Sequence, residues 1–420
     1  MCPHRCLSGS ARSLLPSVSV EKGAAVMKPA LVIPSYWAGD VASAHAPGAY
    51  DHATPLDSEQ PELDRCLASL EKVDNLPRVF VLVVCPVAAT DRVVERVRAI
   101  VDAHPKLEVT LVTNNEAPRI TERVSAIAPK IPGECVSLRG YGAIRNMGLA
   151  VASIFGHDAV VFLDDDEVVL SSDFMARALY GLGAETRQRL PIIAKTGFFY
   201  DSEGSPLADE TRRGIIYRWW SKRREFNTWM RGALAGTRIS RSNSVCGGLL
   251  ALHARAYMRV AFDPFITRGE DLDYLFNMRM FGYDIWFDNT WAVKHLPPAI
   301  PERSPRFMQD VYRWYYERAK LLHASRLQEL NQVTPASLMP YPGSWLTDEL
   351  DERVARTACV RFLFTREHAG YWHIWRHGRA QAERYARENE AHYLRFQSFW
   401  PSIMDGLWND AGLRATLEQQ

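Results

Sequence analysis

Four short runs of Val, Ile, Leu and other apolar residues stand out in the first half of the chain. They are Ala30–Ile33, Val79–Cys85, Val109–Val112 and Ala159–Leu163. Continuous apolar runs of this length are typical of strands that are buried on both faces, as the strands of a parallel sheet are. The pattern therefore predicts parallel strands at these positions.

Between these runs, apolar positions recur three and four residues apart, which is the spacing of an amphipathic helix. They do so over Glu62–Val73, Asp91–Ala103 and Ala143–Phe155. The alternation of strands and helices predicts an α/β domain with a mostly parallel sheet flanked by helices. Ligands of such domains bind beyond the carboxyl ends of the strands, so side chains that follow a strand are the first candidates for function.

The second half of the chain has a different pattern. A helix is predicted over Glu270–Phe281 and ends at Gly282, and strands are predicted at Asp284–Phe287 and Thr290–Val293. Beyond residue 301 the chain is predicted to be helical. The apolar stripe of the first helix there consists of Met308, Val311, Tyr312, Tyr315, Ala319 and Leu322.

These patterns divide the chain into parts. We predict an α/β domain over residues 27–300 and a mainly helical carboxyl-terminal extension over residues 301–420. Residues 1–26 are interpreted either as a disordered leader or as sequence ahead of a true start at Met27.

Composition narrows the classes of function. The 50 Lys and Arg residues balance 49 Asp and Glu residues, so attraction to nucleic acid or lipid would have to come from a local patch. No base-reading module is recognisable, and we predict no nucleic-acid partner. The longest apolar run, Val79–Ala89, is about half the roughly 20 residues of a membrane span. The 7 cysteines include no CxxC pair, which favours a reducing compartment and predicts a cytoplasmic protein.

The most informative polar feature is Asp164-Asp165-Asp166-Glu167, which directly follows the predicted strand Ala159–Leu163. Adjacent carboxylates repel one another, and a divalent cation or a set of hydrogen-bond donors would neutralise them. A solvated turn is the alternative interpretation. The position at the carboxyl end of a buried strand favours a ligand site.

Three other positions carry candidate chemistry. Gly140–Leu149 opens the helix that leads into this strand, although its glycines alone are a weak phosphate-loop signal. Glu270 and Asp271, with Asp273, begin a helix, where acids also stabilise the helix dipole. His295 follows a predicted strand, and a lone histidine is more often a packed or surface residue than a ligand.

Taken together, these segments resemble the family 2 glycosyltransferases, which have the GT-A fold, over about residues 28–300. Their order and spacing along the chain make the resemblance more specific than any single motif. The segments that carry it are Val32-Ile33-Pro34-Ser35-Tyr36, Ala143-Ile144-Arg145-Asn146-Met147-Gly148-Leu149, Asp164-x-Asp166, Gly247-Gly248 and Glu270-Asp271, with His295 where several relatives place a metal ligand.

The resemblance implies a metal-dependent transfer of a sugar from a nucleotide-sugar donor, a UDP- or GDP-sugar, to an acceptor hydroxyl. It implies that Mn²⁺ or Mg²⁺ is held by Asp166, His295 and Asp164, and that Glu270 and Asp271 form the catalytic pair, with Asp271 as the base. Direct attack would invert the anomeric configuration. The donor-binding residues it implies are Pro34, Ser35, Tyr36, Arg145, Asp164, Asp165, Gly247 and Gly248.

Two departures from the family pattern bear on specificity. Where many members end the second strand with a base-binding Asp, this chain has Val84-Cys85-Pro86, and Asn114 or Asn115 is a candidate substitute. Gln309-Asp310-Val311-Tyr312-Arg313-Trp314 is similar to the QxxRW of processive synthases but has one residue too many. Because no membrane span follows, we expect a non-processive enzyme.

The stretch 211–241 is rich in Lys, Arg and aromatic residues. It is either a solvated loop whose tryptophans pack inward or a binding surface. As a surface, its cations would hold an anionic acceptor or the donor diphosphate, and its aromatic rings would stack on a saccharide or contact a membrane peripherally.

Three alternative functions remain open at this point. One is a retaining GT-A enzyme that makes a small glycoside. The second is a catalytically inactive protein that binds sugars or nucleotides, and the third is a metal-dependent nucleotidyltransferase.

Overall fold

The computed structural model describes residues 27–39, 50, 53–211, 214–298 and 303–419. The predicted leader, residues 1–26, lies outside the described residues. The described chain forms one ten-stranded sheet with helices on both faces and further helices after it.

The sheet has the strand order β4-β3-β1-β5-β9-β7-β10-β6, with β2 paired to β1 and β8 paired to β10. The strands are β1 Pro29–Ala38, β2 Thr54–Pro55, β3 Val79–Val84, β4 Val109–Val112, β5 Ala159–Phe162, β6 Glu167–Val169, β7 Ala194–Tyr200, β8 Ile239–Arg241, β9 Leu250–His253 and β10 Trp286–His295.

The predicted parallel strands are confirmed. β1 pairs in parallel with β3 and β5, and β3 pairs in parallel with β4. The far half of the sheet is mixed, because β9 runs antiparallel to both β5 and β7 while β10 runs parallel to β7. The two strands predicted at Asp284–Phe287 and Thr290–Val293 are one strand, β10, whose register against β7 shifts between Phe287 and Ala292.

The predicted helices of the α/β part are also confirmed within a few residues. The helices of this part are α1 Glu62–Leu70, α2 Thr90–Asp102, α3 Ala117–Ile127, α4 Tyr141–Ile154, α5 Phe174–Leu179, α6 Arg223–Ala235, α7 Ala254–Tyr257 and α8 Glu270–Met280. The helices after it are α9 Ser304–Ala324, α10 Glu349–Phe364, α11 His368–His373, α12 Arg379–Asn389, α13 His392–Gln397, α14 Trp400–Leu407 and α15 Ala411–Glu418. A π-helical turn, Ile374–Gly378, joins α11 to α12.

Side chains of each central strand alternate between two cores. In β1, Leu31 and Ile33 face the core that includes α1, α2 and α5, whereas Ala30 and Val32 face the core that includes α3 and α4. This period of two follows from the pleat of a strand. Both faces of the central strands are therefore covered, as their continuous apolar sequence predicts.

The helices after residue 301 complete the second of these cores. Trp400 is fully buried and donates an indole hydrogen bond to the Tyr257 carbonyl at 2.8 Å. One detail of the predicted stripe on α9 is wrong, because Leu322 is 57% exposed whereas Trp314 and Tyr316 are buried. The helix turns a different and wider face to the core than apolar spacing alone indicates. The predicted boundary at residue 300 between the α/β domain and the helical extension stays a prediction.

Candidate active site

The acidic run lies at the turn between β5 and β6, at the carboxyl end of β5. β6 begins at Glu167 and pairs with the end of β10, with Glu167 opposite His295. This register brings His295 to the acidic run, and its Nε2 lies 3.2 Å from Asp166 Oδ2. Strand pairing thus joins two side chains that are far apart in sequence.

Arg145 connects the acidic run to the second acidic pair. Its Nη2 donates to Asp164 Oδ1 at 2.8 Å, and its Nε donates to Glu270 Oε1 at 3.2 Å. Arg145 projects from the first turns of α4, and Glu270 begins α8. Because the Arg145 side chain is 4% exposed, both contacts are largely shielded from water. The two predicted acidic clusters therefore converge on one cation.

Two glycines allow this close packing. A side chain at Gly247 would place its Cβ 3.0 Å from Asp271 Cβ and 3.1 Å from Arg145 Nη2. A Cβ at Gly248 would lie 2.5 Å from Glu167 Oε2, closer than real Cβ atoms approach. The backbone at these positions lies directly against the acidic side chains, and any larger residue would have to displace them.

The acidic side chains of the site are crowded and buried. Burial raises the pKa of Asp165 well above its usual value, and the charge of Asp166 adds to the increase. Burial, together with the charge of Asp164, raises the pKa of Glu167 to about 8. Burial lowers the pKa of His295, but the hydrogen bond and charge of Asp166 outweigh it, and the pKa rises to about 9. This surplus of negative charge favours an added cation.

Two buried polar atoms in the site have no hydrogen-bond partner among the described residues. They are Arg145 Nη1 and Asp165 Oδ2. Buried polar atoms are nearly always hydrogen-bonded in folded proteins, and the exceptions often mark a place where a ligand, an ion or water binds.

The family model described as "Glycosyltransferase like family 2" matches residues 58–317, more than half of the chain. The chain belongs to this family. The predicted family, the GT-A-like fold and the class of enzyme, a glycosyltransferase, are confirmed.

Solved structures of glycosyltransferases match this family 2 glycosyltransferase at low sequence identity. A mannosyltransferase from Pyrobaculum calidifontis, solved with GDP-Man and Mn²⁺, is 15% identical, with a TM-score of 0.43 over 94% of this chain and 88% of that chain. Glucosyl-3-phosphoglycerate synthase from Mycobacterium tuberculosis, solved with Mn²⁺, UDP and glucosyl-3-phosphoglycerate, is 15% identical, with a TM-score of 0.35 over 72% of this chain and 81% of that chain. No curated protein matches the chain by sequence.

The other predicted donor-binding residues of this glycosyltransferase lie at the end of β1. Ser35 is buried and hydrogen-bonds to Asp165, and it also accepts the Trp37 indole N–H at 2.9 Å. The Tyr36 ring lies 4.7 Å from the ring of Tyr50. Pro34 stands within the strand, in register with Leu82 of β3. All three residues belong to β1, and Ser35 and Tyr36 also border the acidic site, since Ser35 bonds to Asp165 and Tyr36 interacts electrostatically with Arg145 and Glu270.

The predicted metal ligands form a partial set. Among the described residues, no group of three or more His, Cys, Asp and Glu side chains is arranged to hold a metal ion. Asp166 and His295 are adjacent, whereas Asp164 is engaged by Arg145. Mg²⁺ sites commonly use one or two carboxylates and complete their shell with substrate phosphates and water, so an incomplete protein set fits such a cation.

Sequence reasoning missed a buried ion-pair network behind α8. Lys320 of α9 donates to Asp263 Oδ2 at 2.8 Å and to Asn277 Oδ1 at 2.9 Å, and it also contacts Asp273. Lys320, Asp263 and Asp273 are fully buried. Asp273, the third acid at the start of α8, therefore has a structural partner rather than a place in the site. No spacing rule in the sequence connects it to Lys320.

Arg313 is a second residue whose position the sequence did not specify. Gly269, which precedes α8, has φ +71°, and a Cβ there would lie 1.9 Å from Arg313 Nη1. Arg313 also donates to Glu317 Oε1 at 3.0 Å. The sequence signal that could have indicated this position is the segment similar to QxxRW, because its arginine, Arg313, lies against Gly269, directly before the acidic pair.

Of the two candidates for the base-binding position, Asn114 has a side chain that is engaged in the fold, whereas Asn115 is exposed. Asn114 donates to the Cys85 carbonyl at 3.2 Å and to Thr90 Oγ1 at 2.9 Å, which ties the ends of β3 and β4 together. The Asn115 backbone N–H donates to Thr113 Oγ1 at 3.1 Å. A role of either residue in binding the base stays a prediction.

The basic aromatic stretch packs one tryptophan inward, as one of its two interpretations predicts, and its role as a binding surface stays a prediction. Trp220 is buried and packs edge-on against Phe307 and Trp345, at ring distances of 4.8 and 4.9 Å. Other residues of the stretch, together with Glu210 just before it, line a groove of about 460 Å³. The groove is lined by Glu210, Gly214, Ile215, Tyr217, Arg218, Ser221, Arg223 and Arg224.

Proposed function

We propose that this glycosyltransferase transfers a sugar from a UDP- or GDP-sugar to an acceptor hydroxyl, with inversion and without processive elongation. The observation that carries the proposal is the contact of Arg145 with both Asp164 and Glu270, at 2.8 and 3.2 Å. It unites the acidic run after β5 and the acidic pair of α8 in one site. The reaction needs acidic groups on both sides of the anomeric carbon, some to hold the cation at the leaving diphosphate and one to accept the proton of the acceptor hydroxyl.

In the proposal, Asp166 and His295 hold Mn²⁺ or Mg²⁺, and Asp164 faces the donor ribose or the metal. A bound divalent cation would supply positive charge that stabilises the departing nucleoside diphosphate. The buried and crowded carboxylates described above support a cation at this place. The unpartnered Nη1 of Arg145 is a candidate donor of a hydrogen bond to the diphosphate.

Asp271 is the proposed base. It lies at the start of α8, where the helix dipole stabilises the carboxylate, and its Oδ1 accepts the Leu272 backbone N–H at 2.7 Å. The acceptor oxygen bonds to the anomeric carbon as the bond from that carbon to the diphosphate breaks, and the hydroxyl proton passes to Asp271. Glu270 acts through Arg145, which it holds in place. Attack from the face opposite the leaving group inverts the anomeric centre.

The acceptor is proposed to be anionic. The groove of the basic stretch carries Arg218, Arg223 and Arg224, and guanidinium groups bind phosphate and carboxylate groups in a forked geometry. Tyr217 in the same groove offers a ring for stacking on a saccharide. Lys222 connects this segment to α9, with Nζ 3.9 Å from Asp310 Oδ2.

A donor screen tests the proposal. Thermal unfolding of the full chain is measured with UDP-, GDP- and TDP-sugars, with and without Mn²⁺, because a ligand of the native state raises the melting temperature by mass action. We expect one nucleotide class to stabilise the protein in a manganese-dependent way. That donor is then incubated with neutral and anionic acceptors, and release of nucleoside diphosphate is followed.

The outcomes separate the alternatives. An inverted product by NMR supports the proposal, whereas a retained configuration contradicts the inverting mechanism. Donor binding without any release of nucleoside diphosphate indicates a binding protein. Release of pyrophosphate from a nucleoside triphosphate indicates a nucleotidyltransferase.

A further inference from the structure

An exposed apolar surface lies in the carboxyl-terminal helices. It is formed by the rings of Phe362, Trp372 and Trp375, with the exposed Leu363 and Phe364 next to Phe362 in the chain, and we call it the tryptophan patch. Leu363 is 57% exposed, Phe364 63%, Trp372 44% and Trp375 40%. Single exposed apolar residues are ordinary, but three neighbouring rings that include two exposed tryptophans mark an interaction surface.

The rings of the patch pack against one another and against buried residues. The Phe362 ring lies 5.2 Å from Trp372 and 6.4 Å from Trp375, and the two indoles are 5.3 Å apart. Trp375 lies in the π-helical turn Ile374–Gly378. Beneath the patch, Tyr371 and Ile374 are buried in the core. The indoles are therefore held outward by a fixed support.

The charge around the patch is positive. Among the described residues, neither Arg366 nor Arg376 forms an ion pair, and both are exposed. Arg376 lies over the Trp372 ring, with the guanidinium carbon 5.7 Å from the centroid. The single acid of residues 361–380, Glu367, accepts a hydrogen bond from the Ser304 backbone N–H at the start of α9.

We propose that the tryptophan patch docks this enzyme on the surface of an anionic lipid bilayer. Tryptophan rings favour the boundary between lipid headgroups and acyl chains, and nearby arginines are attracted to anionic headgroups. The arrangement of the rings favours a bilayer over a saccharide, because one face of Trp372 is covered by Arg376 and Trp375 stacks on Phe362 at an interplanar angle of 20°. This inference goes beyond the proposed function and does not depend on it.

No helix of the described chain is long and apolar enough to cross a bilayer. Contact through the patch would therefore be peripheral. Binding would combine the burial of indole and phenyl edges with attraction between arginine and headgroup charges, so it would weaken as salt screens those charges.

The test is binding of the full chain to vesicles, measured by co-sedimentation and by tryptophan emission. Vesicles of phosphatidylcholine alone are compared with vesicles that also contain phosphatidylglycerol. We expect binding to the anionic vesicles and a blue shift of emission, both reduced by salt. Trp372→Ala combined with Trp375→Ala should weaken partitioning on the order of tenfold or more. Arg366→Gln combined with Arg376→Gln should weaken it roughly thirtyfold.

A matched pair of variants separates the patch from general surface hydrophobicity. Leu363 and Leu322 are both leucines with 57% exposure, and Leu322 lies outside the patch on α9. We expect Leu363→Ser to weaken vesicle binding and Leu322→Ser to leave it unchanged, with the melting temperature of each variant showing that the fold is intact. Equal effects of the two substitutions, or no binding to anionic vesicles by the unmodified chain, overturn the proposal. Concentration-dependent dimerisation that the tryptophan variant abolishes would also overturn it, because the patch would then be an interface between copies.

Discussion

Replacing Arg145 by Gln tests the central contact of the site. The substitution removes the positive charge between Asp164 and Glu270 and leaves a shorter, uncharged polar side chain. Breaking a buried ion pair costs about 3–5 kcal/mol, because the remaining charge stays desolvated. Glu270 is 9% exposed and bears most of this cost, whereas Asp164 is 33% exposed and water compensates part of its loss. We expect the free energy of unfolding to fall by about 3 kcal/mol near neutral pH.

The same substitution should make stability depend on pH in a defined direction. Burial raises the pKa of Glu270, and the charge of Arg145 opposes that increase. Without Arg145, the pKa of Glu270 in the folded state should rise further above its unfolded value of about 4.3. The folded state then binds more protons than the unfolded state, so stability decreases as the pH rises above that value. The free energy of unfolding that the variant loses relative to wild type should therefore be smallest in mild acid and should grow toward neutral pH.

Urea unfolding across this pH range provides the measurement. Arg145→Lys serves as a control, because it keeps the charge but loses the fork that reaches both carboxylates, and it should fall between wild type and Arg145→Gln. Adding Glu270→Gln to Arg145→Gln removes the unpaired charge and should recover about 1 kcal/mol or more. A loss below about 1 kcal/mol that does not vary with pH, with no recovery in the double variant, would refute the convergence of the two acidic clusters on Arg145.

The remaining predictions concern single positions. Asp271→Asn should keep metal-dependent donor binding while the transfer rate falls by about 10²–10⁴-fold, and a rate near that of wild type contradicts the role of base. Asp166→Ala should remove the manganese-dependent part of donor stabilisation in thermal melts, and an unchanged manganese dependence contradicts the ligand role. Gly248→Ala would place a methyl group 2.5 Å from Glu167 and should destabilise by about 1–3 kcal/mol, whereas Gly232→Ala, with nothing within 4 Å, should stabilise by about 0.5–1 kcal/mol. Equal effects of the two glycine substitutions in chemical unfolding contradict the close packing at Gly248.

The sheet and the helices around it could be predicted because their sequence patterns reflect local geometry. A strand buried on both faces must be apolar throughout, as β3 is, and a helix with one buried face repeats every three or four residues, as α2 does. The acidic run could be placed beyond the sheet for the same reason, since it directly follows β5. These inferences need only the neighbours of each residue along the chain.

The contacts within the site could not be predicted in this way. That Arg145 reaches both Asp164 and Glu270 depends on how α4 and α8 are placed relative to β5, which no local pattern specifies. Asp273 shows the same limit, because its sequence neighbours suggested a role in the site while its side chain pairs with Lys320 of α9. The role of a fully buried polar residue follows from the groups that it hydrogen-bonds to, and here those groups lie in distant segments of the chain.

The position of the proposed base depends on α9, the helix within which the family match ends. Lys320 of α9 fixes the start of α8 through Asp273, and Arg313 of the same helix lies against Gly269, directly before Glu270 and Asp271. Gly269 adopts φ +71°, a conformation that other residues adopt at a cost, and the guanidinium group of Arg313 occupies the space of a side chain there. A shift of α9 would therefore move the acidic pair relative to Arg145. Since a displacement of about 1 Å at a reacting group can cost on the order of a hundredfold in rate, α9 is part of what determines the geometry of the site.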